Sequence, residues 1–296
     1  MRPGHELISV IPDPWRRRLT LRRVRRWLRA VRFERRHNGR LPADAQTISF
    51  YPMRLEPAAA LAHALARGGA RIGAFGTEAD LVVAWDTGTW LPRGAQQRLP
   101  ASALNRGCTD ISKTKVDRLW ADVAGYSISV DPLTWQAPLV VKPDVNGVRG
   151  GRIVTGPLAR RRSGRVYQRL IDCVVDGRVR TIRPMIFEGR ILAVYDKWRA
   201  GGDRFIGPEE VVVRHADELL SPEEQRLLLR FAADLGLDYG ELDVLRDGGS
   251  GLIYAVDANR TPIRPRGLKA EDDDAAFGPL AAALAQRMGR TGRSGP

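Results

Sequence analysis

The chain reads as an α/β protein made of α+β lobes, and three features carry that expectation. Between Thr47 and Asp86 short apolar strands alternate with an alanine-rich helix over brief connections, the pattern of an α/β unit. From Leu139 onward strand-like runs follow one another through glycine-bearing turns, as in antiparallel hairpins. Finally, a helix bounded by Ser221 and Gly236 leads straight into a hairpin, Glu241 to Pro262, that is acidic on one face.

At 296 residues and 43% hydrophobic content the chain has enough apolar material for two compact lobes. Cys108 and Cys173 lie far apart without metal-ligand spacing, so neither a disulfide framework nor a zinc site is expected. No apolar run reaches membrane-spanning length. The expected location is cytoplasmic, with a position peripheral to the membrane left open by the basic arm described next. The formal charge of +14 is concentrated, because residues 1–40 hold thirteen arginines against Glu6, Asp13 and Glu34. A fold binding nucleic acid over its whole surface would spread its basic residues instead.

From Pro14 to His37, Leu21, Val24, Leu28 and Val31 recur at helical spacing among arginines, which predicts a basic amphipathic helix. Three readings stay open for residues 14–37. The helix lies on an anionic membrane surface, it contacts a polyanion or acidic partner, or its stripe packs on the body while the arginines stay solvated. Thr47–Tyr51 reads as a strand, the run after Glu56 as a helix closed by Gly68-Gly69, and two further strands follow. Asp86-Thr87-Gly88-Thr89-Trp90 ends the last of them. No G-x-G-x-x-G follows the first strand, so dinucleotide binding is not indicated.

After a helical segment from Val116, Leu139-Val140-Val141 forms a buried-type strand ended by Lys142, and Asn146 to Gly151 is a glycine-rich loop before a strand at Arg152–Val154. Glycines allow backbone N–H groups to approach phosphates, and a lysine adds a point charge. The G-K-[ST] ending of a Walker loop is absent. A strand around Val166–Ile171 comes next, then a hairpin turning at Glu188-Gly189. Ser221 caps the following helix, with Pro222 at its first position and Glu224 completing a capping box. In the final hairpin the two-residue period about the turn DGGSG sets Asp243 opposite Asp257, with Asn259 pointing the same way. Two facing carboxylates repel unless a cation sits between them, and Mg²⁺ held by one or two carboxylates plus phosphates answers that need. A helix from about Asp274 to Met288 closes the fold, and the tail is expected to be disordered.

Taken in this order, the features resemble the ATP-grasp fold, over about residues 101–285. The resemblance implies a small lobe at about 113–170 and a large lobe at about 171–285. Ahead of them stand an arm (1–40) and a small α/β domain (41–100) that shapes part of the acceptor site, and a disordered tail (286–296) follows. It implies ATP and two Mg²⁺ ions, the metals on Asp243, Asp257 and Asn259, with Asp257 where the family usually has Glu. Lys142 with Lys113 or Lys115 would hold the inner phosphates, under Gly147, Gly150 and Gly151. Gln168, Arg169 and Leu170 stand at the adenine hinge, where relatives begin with glutamates, and Asp172 or Asp176 would supply the missing polar contacts. Arg183 matches an arginine of ribosomal-protein glutamate ligases and would offset transition-state charge. Lys197 or Arg199 would lie near the transferred phosphate. D-alanine ligases carry an arginine two residues before the first metal ligand, and here that position is Glu241. The implied activity is ligation of a small-molecule or peptide carboxylate to an amine through an acyl phosphate. An ATP-grasp-type kinase, or a non-catalytic ATP-binding protein recruited to an anionic surface by its arm, are the alternatives.

Overall fold

A computed structural model of the chain describes residues 21–148, 150–200 and 209–291. It opens with helix α1 (Leu21–Asn38), which is tied to the first sheet at its C-terminal end. There His37 Nε2 meets Ala70 O at 2.7 Å, and the Asn38 amide bonds both the N–H and the C=O of Ile72 at 2.8 Å. These are the backbone groups an edge strand leaves open. The docked face carries Ala30 and His37, both buried, whereas Val24 and Leu28 of the predicted stripe stay 40% and 39% exposed. The expected residues 14–20 of the helix lie outside the described residues.

Strands β1 (Thr47–Pro52), β2 (Arg71–Gly73) and β3 (Leu81–Trp85) form a parallel sheet in the order β2-β1-β3, with α2 (Ala60–Gly68) crossing between the first two. A short helix α3 (Arg93–Arg98) follows. Helix α4 spans Lys113–Ala124 and so begins earlier than Val116, because the Ser112 side chain accepts from Lys115 N and caps the first turn. That earlier start puts Lys113 at the helix's N-terminal end. Strands β4 (Pro138–Pro143), β5 (Arg152–Thr155) and β6 (Arg165–Arg169) make an antiparallel sheet in the order β5-β4-β6.

The largest sheet is antiparallel and runs β10-β9-β8-β11-β12, formed by β8 (Arg178–Phe187), β9 (Arg190–Ala200), β10 (Glu209–Arg214), β11 (Tyr239–Arg246) and β12 (Ile253–Asn259), with β7 (Val174–Val175) pairing β8. β7 and β10 extend the sheet beyond the two hairpins read from sequence. The acidic hairpin is therefore not half-exposed. β11 lies between β8 and β12, and Leu242, Val244, Tyr254 and Ala255 are all buried. One face of this sheet packs on α4 and α5 (Pro222–Leu235) through Ile182, Ile186, Leu242 and Val244. The other face meets the parallel sheet and α6 (Asp273–Thr291) through Met185, Phe187, Tyr195 and Tyr239. α6 runs on to Thr291 with Met288 2% exposed, so residues 286–291 belong to the helix, and 292–296 lie outside the described residues. Among the described residues no helix is long and apolar enough to cross a membrane.

Candidate active site

The chemistry gathers where one face of the large sheet changes character. Along β11 the same-face series is Tyr239, Glu241, Asp243, along β8 it is Phe187, Met185, Arg183, and along β9 Tyr195 is followed by Lys197. The apolar members are covered by the N-terminal sheet and α6. The charged members line a cleft of 530 Å³ beyond that cover.

Arg183 stands at its centre. Its Nε and Nη2 donate to the two oxygens of Asp243 at 2.5 and 2.8 Å, and Nη1 donates to Glu241 Oε2 at 3.4 Å. Glu241 is 1% exposed, its Oε1 has no hydrogen-bond partner, and burial pushes its pKa up to about 7. Burial acts the same way on Asp243, but Arg183 and Lys197 outweigh it and hold that carboxyl down at about 2. Burial, helped by Arg183, lowers Lys197 to about 8.

Asp243 lies opposite Asp257, as expected, and Glu241 opposite Asn259, but through a β-bulge between Asp243 and Val244 that strict alternation from the turn does not give. Lys113 Nζ approaches Asp257 Oδ2 at 3.7 Å and donates to Val145 O at 3.2 Å. Burial raises the Asp257 carboxyl and lowers the Lys142 ammonium. Two carboxylates and the Asn259 amide on one face form a hard-oxygen donor set that suits Mg²⁺, whose remaining positions are ordinarily filled by phosphate and water. Among the described residues no three His, Cys, Asp or Glu side chains gather as a self-sufficient metal cage.

The loop after β4 covers the cleft. Gly147 and Gly150 there have φ of 69° and 142°, which side-chain-bearing residues rarely adopt. Asn146 N donates to Thr89 Oγ1 at 2.8 Å, mooring the loop to the Asp86–Trp90 segment, whose Thr87 also lines the cleft. A second space of 120 Å³ lies under β6, with apolar walls from Val140, Leu170, Leu245 and Val256. Gln168 on its edge donates to Asp117 Oδ1 at 2.8 Å, and Asp117 Oδ2 accepts from Ser129 Oγ at 2.8 Å. Burial raises the Asp117 carboxyl. Lys142, Asp243 and Val256 wall both spaces, which therefore lie side by side.

Solved structures similar to the chain include the ATP-grasp ligase PsnB complexed with minimal precursor, 15% identical over 82% of this chain and 99% of that one, with a TM-score of 0.56. D-alanine–D-alanine ligase from Bacillus anthracis complexed with ATP is 14% identical over 86% and 100% of the two chains, with a TM-score of 0.50. An L-amino acid ligase from Bacillus licheniformis is 15% identical over 81% and 74%, also at 0.50. The chain has the ATP-grasp fold. No sequence-family model matches it, and no curated protein matches it in sequence.

Within this ATP-grasp fold the residues singled out from sequence divide cleanly. Lys113, Lys142, Gly147, Gly150 and Gly151 line the larger cleft from the smaller lobe's side. Arg183, Lys197, Arg199, Asp243, Asp257 and Asn259 line it from the large sheet. Gln168, Arg169 and Leu170 line the smaller space. Lys115 and Asp176 do not join either. Lys115 is exposed on α4, next to the cap it helps satisfy, and Asp176 is exposed in the β7–β8 turn at φ 48°. Asp172 is likewise exposed.

Two ATP-grasp site neighbours escaped the sequence reading. Asp117 is 3% exposed and fixes Gln168, while Arg260, 0% exposed, donates to the carbonyls of Asp86, Cys108 and Gly88 at 3.0, 2.8 and 2.8 Å. The three-oxygen grip of Arg260 anchors the residue next to Asn259. The sequence signal for Asp117 is a charged residue on an otherwise apolar helix face, whereas Arg260, just past the end of β12, carries none.

Proposed function

We propose that the chain is an ATP-dependent ligase that joins a carboxylate to an amine through an acyl phosphate, releasing ADP and phosphate. The observation that carries this reading is the adjacency of the two spaces, which share Lys142, Asp243 and Val256. An apolar slot beside a cation-lined cleft fits a nucleotide lying with its base in the slot and its phosphates over Lys142, Lys113 and Lys197. Gln168, its amide nitrogen already committed to Asp117, keeps its carbonyl oxygen for a donor on the base. Asp243, Asp257 and Asn259 would hold Mg²⁺, which when bound neutralises the phosphate charge and polarises the γ-phosphorus.

In the first step a substrate carboxylate oxygen attacks the γ-phosphorus and the bond to the β–γ bridging oxygen breaks, giving acyl phosphate and ADP. In the second, the amine attacks the acyl carbon, phosphate departs, and the nitrogen loses a proton to solvent. Arg183 and Lys197 offset charge on the transferring group and on the tetrahedral adduct. No side-chain nucleophile takes part. PsnB has been solved with a precursor peptide and AMPPNP, which favours a peptide or amino-acid carboxylate as the substrate class here.

The test is product analysis of the full chain with ATP, Mg²⁺ and pooled amino acids and peptides. ADP formed only when carboxylate and amine are both present, with a product lighter than its parts by one water, is the expected result. ADP formed with an alcohol alone, or none with any pool, would reject the reading.

A further inference from the structure

The outward face of α1 is basic, fixed in direction and joined to the rim of the cleft. Arg25, Arg29, Arg32 and Arg36 are exposed on it, and Val24 and Leu28 lie exposed among them. Its single acid, Glu34, is taken by Arg54. Arg26 donates to Thr87 Oγ1 at 3.5 Å and pairs with Glu56, and Thr87 lines the cleft. Two residues beyond Glu56 the chain is bound to the opposite rim, where Arg264 N donates to Ala58 O at 2.9 Å and Ala59 bridges Ile263. Ile263, 49% exposed, and the exposed Arg266 line the cleft in turn.

We infer that α1 is the docking track for an acidic polypeptide whose carboxylate enters the cleft between Thr87 and Ile263. The inference rests on the ligase reading for what happens inside the cleft. Charge complementarity selects an anionic occupant. A bilayer is disfavoured because, among the described residues of α1, the exposed aliphatic side chains are Val24 and Leu28, each only about two-fifths exposed, which leave little apolar surface to insert. Single-stranded nucleic acid is disfavoured because it binds by stacking on open aromatic faces. Here Trp27 is only partly exposed and carries the Arg54 guanidinium 5.9 Å from its ring centre, and Phe33 stacks on His37. A polypeptide that carries aliphatic residues among its acids supplies carboxylates for the arginines and apolar side chains for Val24 with Leu28. α1 is about 27 Å long, so about eight extended residues would cover it, and a peptide of about sixteen leaves as many again to enter the cleft.

The test is fluorescence anisotropy with a labelled peptide of about that length made of Glu, Asp and Leu, beside a Gln/Asn/Leu control, anionic phosphatidylglycerol vesicles and single-stranded RNA. Binding of the acidic peptide, weakened about tenfold or more in Arg25→Glu/Arg29→Glu/Arg32→Glu and weakened also in Arg266→Glu, is the expected result. All four positions are exposed, and an unchanged melting temperature checks the fold. Equal binding by either variant, equal binding of the neutral control, or tighter binding to vesicles or RNA would overturn the inference. Calorimetric ADP binding on the same proteins separates the two proposals. ADP bound normally beside a failed peptide result rejects the track alone, whereas loss of ADP binding in the parent chain rejects the nucleotide site.

Discussion

Arg183 holds Asp243 through both carboxylate oxygens, at 2.5 and 2.8 Å, in a side-on pair at the centre of the cleft. Bidentate pairing of this kind is among the stronger hydrogen-bonded arrangements. It also means that a cation already occupies the carboxylate assigned to the metal. Each carboxylate oxygen keeps a further lone pair, so Mg²⁺ at Asp243 would share that carboxylate with Arg183 and weaken the pair. In the proposed enzyme the guanidinium so loosened is available to the phosphoryl group as it transfers.

Arg183→Ala follows directly. Removing one partner of a mostly buried ion pair costs about 3 kcal/mol of stability, read by urea denaturation. Turnover should fall about a hundredfold, with kcat and kcat/KM falling together, because the cation serves the transition state more than bound ATP. Mg²⁺ without nucleotide should raise the melting temperature of the variant more than that of the parent. A rise in the KM for ATP alone would make Arg183 a nucleotide-binding group.

Asp257→Asn should abolish ADP-forming turnover and leave the fold intact. Burial raises the Asp257 carboxyl in the folded chain, so its ionised form costs stability above its ordinary pKa, and a neutral amide removes that cost. The expected thermal stability is equal to the parent's or higher. Unaltered turnover would take Asp257 out of the metal set.

The faces of this hairpin were legible because a two-residue alternation puts Leu242 and Val244 on the covered side and Asp243 on the other, whereas the bulge that sets Asp257 rather than Val256 opposite Asp243 leaves no mark in that alternation. The Ser221 cap and its capping box were legible for a similar reason, since all the partners lie within four residues. Arg260 and Asp117 were not, because their partners stand 152 to 174 and 51 residues away. The docked face of α1 was hidden in another way. It is set by the Asn38 amide on the β2 edge and by the small side chain of Ala30, neither of which a hydropathy stripe registers. Glu241 shares the face of Asp243 by alternation, yet its burial to 1% exposure comes with the packing of that face of the sheet, which alternation does not show.

Nucleotide affinity should depend on pH through Lys197. Its pKa is lowered from 10.5 to about 8, so below about 8 it is charged at a cost to the folded chain, and that cost fades as pH rises towards 10.5. Phosphate oxygens favour the charged form and raise the pKa again. ADP binding near pH 8.5 should then take up protons, and affinity should weaken by up to about tenfold per pH unit above about 8. Calorimetry in two buffers of different ionisation heat measures the uptake, and Lys197→Met should lose it. Equal heats in both buffers for the parent would exclude Lys197 from the phosphate contacts.

Arg260 ties the end of β12 to the N-terminal sheet. Its guanidinium donates to the carbonyls of Asp86 and Gly88, at the end of β3, and of Cys108, before α4, all within 3.0 Å. It is the residue after Asn259, so the end of β12 and the segment carrying Thr87 and Thr89 are held as one piece. Arg260→Met preserves most of the stem but leaves three buried carbonyls without their donor, and each costs on the order of 1 kcal/mol or more. A loss of about 3 kcal/mol is expected. Because the same contacts align the cleft's two walls, turnover measured well below the melting temperature should also fall, with ADP affinity less affected since Lys142 and Gln168 lie on other elements. A variant with lowered stability and full turnover would mean that Arg260 holds the lobes together without setting the position of Asn259.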